Sequence, residues 1–254
     1  MNQFNQSYGA PAGTMDTSVD AGLRGFMLGV YNKLALGIGL SGLIAFAVGT
    51  IEPLTQLVWG TPLGMVVQFA PIVLILASAF LMRNPSPAGS AILYWAIVSC
   101  IGASASMWVV LAQMDQSVVT RGGASLAVDF MTITKAFLVT ASAFGALSLF
   151  GYTTKMNLRP LGVFMIIGLW GLVAIGLLSL LFPPSGMLEL GLQLGILVLS
   201  GGLIAWETQT LKEGYYQFGG DARSMAVMTN WGALNFFILF YNMFTIILSL
   251  MSRE

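Results

Sequence analysis

Apolar residues fill this chain in long unbroken runs, and polar residues gather at the breaks between them. A hydrocarbon layer of roughly 30 Å is crossed by about 20 residues of α-helix rising 1.5 Å each, and runs of that kind predict seven spans. They cover approximately 34–50, 63–81, 88–112, 130–150, 161–182, 188–206 and 227–250. Pro53, Pro85-Ser86-Pro87, Pro160 and Pro183-Pro184 mark several of the breaks, where a helix loses an N–H donor or clashes. The connections are short and leave no room for a soluble domain.

Ahead of the first run, residues 1–20 are small and polar, without the basic and apolar regions of a signal peptide. They predict a disordered cytoplasmic tail. Leu23, Phe26, Met27 and Val30 then recur at helical spacing beside Arg24 and Lys33, which predicts an amphipathic lead-in lying at the membrane interface. The expected division is a tail over 1–20 and a seven-helix transmembrane domain over 21–254.

Composition supports this reading. Of 254 residues, 57% are hydrophobic and 8% charged, whereas a soluble domain carries about 25% charged residues. The chain is therefore expected to have the lipid bilayer as its surroundings. Ten acidic residues balance ten basic ones, which leaves no excess charge to hold nucleic acid. With Cys100 as the single cysteine and no histidine, disulfides, multi-cysteine metal sites, Ser–His nucleophiles and histidine-ligated haem are excluded. A Ser–Lys dyad through Lys135 is formally open, but nothing in the spacing supports it, so no enzyme activity and no cofactor are expected.

Basic residues also predict orientation. With the N-terminus inside, Arg24, Lys33, Arg83, Lys155, Arg159, Lys212 and Arg223 fall on the cytoplasmic side, while Arg121 and Arg253 fall outside. Small residues at four-residue spacing, Gly191/Gly195, Gly102/Ser106 and Ser142/Ala146, are read as helix-packing positions.

Polar groups inside the spans carry the chemistry. The run 188–205 leads directly into Trp206-Glu207-Thr208-Gln209-Thr210-Leu211-Lys212-Glu213. A charged carboxylate at a helix centre in a membrane costs about 2.5–3.5 kcal/mol, so Glu207 is either a functional residue or the first interfacial residue after the span. Lys135, two turns into the fourth span, is expected to snorkel outward or reach Asp129. In the last span Asn235, Leu239 and Asn242 share one helical face, which is expected to point into the bundle.

Three stretches, in order, resemble one family. They are Phe137-Leu138-Val139-Thr140-Ala141 through Phe144-Gly145-Ala146-Leu147-Ser148-Leu149-Phe150-Gly151-Tyr152-Thr153-Thr154-Lys155, then Ala205-Trp206-Glu207-Thr208-Gln209, then Gly232-Ala233-Leu234 through Phe240-Tyr241-Asn242-Met243-Phe244. Together they resemble the Bax inhibitor-1 family, in its bacterial YccA-like branch, from about residue 20 to the end. The resemblance implies an all-α bundle of seven transmembrane helices with the last near the centre, set in a bacterial inner membrane. It further implies a pH-sensitive calcium leak gated by two aspartates, the first of which corresponds to Glu207 and the second to Leu239.

Leucine supplies no second carboxylate, so the shared-proton gate is expected to be altered here. Asn235 and Asn242 can still offer amide groups, and Arg83, on the second span, is a candidate partner for Glu207. Glu207 is also the candidate for a weak calcium site, a single carboxylate being a poor one. The alternative implied by the resemblance is a non-transporting modulator of a membrane-bound protease, which grips an unfolded tail such as 1–20.

Overall fold

In lipid, backbone N–H and C=O groups must be satisfied within the segment, and these apolar runs do so as helices. The computed structural model describes residues 12–81, 84–114, 119–121, 124–126, 128–178 and 186–252. Helix α1 spans Ala12–Thr50, α2 Glu52–Trp59, α3 Leu63–Leu81 and α4 Pro87–Gln113. A hairpin of β1 (Val119–Arg121) and β2 (Ala124–Leu126) follows, and then α5 (Phe130–Thr153), α6 (Arg159–Leu178), α7 (Gly186–Phe218) and α8 (Ala222–Met251).

Helix starts follow local chemistry. Ser86 accepts from the Gly89 N–H at 2.9 Å to cap α4, and Asp129 accepts from the Thr132 N–H at 2.6 Å to cap α5. Asp221 caps α8 through the N–H groups of Arg223 and Ser224, each at 3.1 Å. The hairpin pairs Val119 with Leu126, Thr120 with Ser125 and Arg121 with Ala124. It was not expected, although β-branched Val119-Thr120 ahead of Gly122-Gly123 is a hairpin signal.

Among the described residues, five helices are long and apolar enough to cross a membrane: Ala21–Thr50 within α1, then α4, α5, α7 and α8. A sixth results if α2 and α3 count as one span bent by 70°, and α6 contributes a shorter apolar stretch, Arg159–Leu172. By length and composition, five or six of the seven expected spans are accounted for among the described residues. Residues read as a loop before the second span instead form α2, with Pro53 tolerated in its first turn.

Two further expectations change at the N-terminus. Helix α1 opens at Ala12, inside the stretch read as an unfolded tail, and residues 1–11 lie outside the described residues. No proline interrupts the chain between Ala12 and Thr50, so the lead-in and the first span run on as one helix. Leu23, Met27 and Val30 are buried in the main core rather than laid on a membrane surface.

Helix α8 packs against α1, α4, α5 and α7. Half of its apolar window is buried, against 22–33% for the other four spans, which makes it the central helix. Phe236 of α8 lies against Tyr31 of α1 and Phe144 of α5, with ring centroids 5.6 and 5.4 Å away. Of the small-residue pairs, Gly102 and Ser106 sit buried, with Gly102 against the α1 backbone at Ser41, whereas Ser142, Ala146 and Gly191 face outward. Spacing alone does not say which face a pair occupies. Leu43, Ile92, Phe164 and Val198 point outward as well, as a lipid-facing surface requires.

Candidate functional site

Helix α7 does not stop at Trp206. It continues to Phe218, so Glu207 lies inside a helix and is 8% exposed. A buried carboxylate needs hydrogen bonds to offset its lost hydration. Asn235 of α8 supplies one, its Nδ2 donating to Oε1 of Glu207 at 2.8 Å.

Successive residues of a helix project about 100° apart, so Trp206, Glu207, Thr208 and Gln209 reach different neighbours. Trp206 lies against Gly162 of α6, where an added Cβ would come within 2.5 Å of the indole. Thr208 bonds to Ser148 of α5 at 3.1 Å, and Ser148 bonds to the Tyr31 hydroxyl of α1. Gln209 holds the α5–α6 connection from both ends of its amide, accepting from Leu158 N–H at 2.8 Å and donating to Met156 C=O at 2.7 Å. The motif therefore fixes α7 against α1, α5, α6 and α8 at one level.

On one side of that level a cavity of about 500 Å³ opens, lined by Glu207, Trp206, Trp231, Arg159 and Glu213 among others. Arg159 and Glu213 form an ion pair at 2.5 Å across it. Because these side chains are 62% and 36% exposed, the pair contributes at most about 1 kcal/mol.

The other expected residues are placed as follows. Asn242 is half-buried two turns further along α8 and does not reach Glu207. Leu239 is buried in the core, in one cluster with Leu203. Arg83 lies outside the described residues. Among the described residues no three His, Cys, Asp or Glu side chains come together, so Glu207 offers calcium a single carboxylate. Lys135 is exposed on α5, and the Asp129 carboxylate is engaged in capping that helix.

One polar group was missed. Lys33 of α1 donates to the Asn230 side-chain oxygen on α8, and its ammonium stands 5.2 Å from the Tyr94 ring centroid. The Asn230 amide in turn donates to Ser90 Oγ at 2.8 Å, which joins α1, α4 and α8. Lys33 entered the sequence reading as a polar residue of the amphipathic lead-in and as an orienting charge, and nothing local distinguished it from the other basic residues.

Known proteins share this arrangement of sequence. The family described as "Inhibitor of apoptosis-promoting Bax1" matches residues 23–254. An uncharacterised protein of Caulobacter vibrioides is 46% identical, over 98% of this chain and 97% of its own length. One from Rickettsia prowazekii is 32% identical over 89% of this chain and 88% of its own length. The inner membrane protein YbhL of Escherichia coli is 24% identical over 92% of this chain and 94% of its own length. A family match across the whole helical bundle, together with relatives alignable end to end, establishes that this multi-pass membrane protein belongs to the Bax inhibitor-1 family.

Proposed function

We propose that the protein is a cation leak, chiefly for calcium, with Glu207 at the cytoplasmic mouth and the N-terminus inside. The observation that carries the reading is the buried Glu207 carboxylate, held by Asn235 where α7 and α8 meet beside a cavity. A carboxylate retained in a membrane bundle despite its cost of desolvation is a functional candidate by default, and ion paths are among the sites such residues mark. Oxygen groups suit a hard cation, and a single carboxylate gives a weak site that lets the ion leave. In this reading the bent α2–α3 pair and α6 complete seven spans; α6 has 20 residues, about 30 Å of helix. The gate differs from a two-carboxylate one, because Leu239 provides no second acid with which to share a proton.

Calcium entry into vesicles holding the purified protein tests this. Wild type is expected to admit calcium, and Glu207→Gln to slow entry by about ten-fold through loss of the mouth's charge. Equal rates in wild type, Glu207→Gln and empty vesicles would refute the proposal.

A further inference from the structure

Glu207 and Asn235 are one level of a longer pattern along the contact between α7 and α8. Near the other end of the same contact, Gln193 of α7 donates to Ser249 Oγ of α8 at 3.2 Å. Gln193 lies fourteen residues before Glu207, and Ser249 fourteen after Asn235, so the two contacts fix one antiparallel register. Midway in that register stand Ser200, seven residues from each end on α7, and Asn242, seven from each end on α8. At 100° per residue, Gln193, Ser200 and Glu207 stay within about 40° of one line, as do Asn235, Asn242 and Ser249. Glu189 extends the α7 line, being five whole turns from Glu207. Polar side chains therefore face one another at three levels, about 10 Å apart, through helices that are otherwise apolar.

Hydrogen bonding between helices explains the two outer levels. It does not explain the middle one. Among the described residues, the fully buried Ser200 has no partner for its Oγ and the Asn242 side chain makes no hydrogen bond. Gln193 Oε1, one level on, is likewise buried and without a partner among them. Buried polar atoms without protein partners are satisfied by water or an ion when the site is functional. The oxygens at these levels, Asn242 Oδ1, Ser200 Oγ, Gln193 Oε1 and Ser249 Oγ, are hard donors of the kind that replace a cation's hydration.

We infer that the α7–α8 contact is the cation path itself, a file of water and side-chain oxygens running from Glu207 past Ser200 and Asn242 to Gln193 and Ser249. This rests on the reading of the protein as a leak, and adds to it the route. Leu203 and Leu239, buried between the first two levels, form the apolar step that keeps the flux slow.

Thiol accessibility tests the route without relying on flux. In a Cys100→Ala background, Ser200→Cys and Asn242→Cys are placed in the file, and Val198→Cys at a 70% exposed lipid-facing position of the same depth. Each vesicle-embedded protein is treated with silver ion in nitrate buffer, then unfolded and labelled with maleimide. Silver should protect the thiols of Ser200→Cys and Asn242→Cys about ten-fold faster than that of Val198→Cys, because thiols react where water and cations reach. Equal rates at the three positions overturn the inference. In the flux assay Asn242→Leu should slow calcium entry about ten-fold, and unchanged entry in a folded variant also overturns it. If wild type admits no calcium, the leak reading fails by itself and the silver rates alone decide whether the contact is wet.

Discussion

The side-chain amide of Asn235 on α8 donates to the buried carboxylate of Glu207 on α7 at 2.8 Å. This contact joins the central helix to the most polar motif in the bundle at the level where Thr208 and Gln209 reach α5 and the α5–α6 connection. One residue on each helix thus sets the surroundings of the buried acid and, with the Gln193–Ser249 contact, their register.

Removing the amide should leave the carboxylate buried without its partner, at a cost of about 1–3 kcal/mol. Asn235→Leu is therefore expected to melt several degrees below wild type in detergent, followed by tryptophan fluorescence. Glu207→Gln keeps an acceptor for Asn235 without the buried charge, and should melt close to wild type. Identical melting of Asn235→Leu and wild type would show that the contact contributes nothing.

Gly151 of α5 sits against the α7 backbone, where an added Cβ would come within 2.8 Å of the Ala205 Cα. Backbone cannot move aside as a flexible side chain can, so Gly151→Ala should cost about 1–3 kcal/mol through overpacking. Gly145, six residues earlier on the same helix, meets nothing within 4 Å. Gly145→Ala should be neutral or stabilising by up to about 1 kcal/mol, from helix propensity alone. Comparing the two melting temperatures separates close packing from propensity.

The α8 cap gives a pH dependence of known sign. Hydrogen bonds from the Ser224 side chain, then from the Ser224 and Arg223 N–H groups, hold the Asp221 carboxyl below its ordinary value. A carboxyl lowered by folding stabilises the protein above its unfolded value of about 3.9, and that contribution is lost as pH falls through the lower, folded value. The melting-temperature gap between wild type and Asp221→Ala should therefore be full near neutral pH and close only in strong acid. A gap that is constant down to about pH 2 would mean the ionised cap is irrelevant.

Much of this was legible because apolar run length and proline position are local properties. Pro85-Ser86-Pro87 marked the start of α4, and the face of α8 bearing Asn235 was set by spacing alone. What was not legible depends on partners distant in sequence. Gln193 and Ser249 are 56 residues apart and Lys33 and Asn230 are 197 apart, so no window of sequence contains either pair. The extent of α7 was misjudged for a related reason. Polarity after Trp206 marks the end of the apolar run but not of the helix, in which Glu207 and Thr208 hydrogen-bond to other helices and Gln209 to the α5–α6 connection.

In the proposed leak, Leu239 stands where a second acid would set the response to pH. It is buried one helical turn beyond Asn235, on the side of α8 that meets α7, and it presents only methyl groups towards the level above Glu207. Two nearby carboxylates titrate as a coupled pair, because the first charge opposes the second, and a buried pair of this kind can change protonation near neutral pH. Glu207 has no such neighbour among the described residues. Calcium entry by wild type should consequently lack, between about pH 6 and pH 8, the coupled dependence that a carboxylate pair would give. Leu239→Asp supplies the missing acid within a turn of the Glu207–Asn235 contact and should make entry depend on pH across that range. Adding Glu207→Gln to Leu239→Asp removes one member of the pair and should abolish the new dependence, which a merely loosened core would not do. If wild type already varies steeply with pH and Glu207→Gln leaves that variation intact, the titrating group lies elsewhere and Glu207 is not the gate.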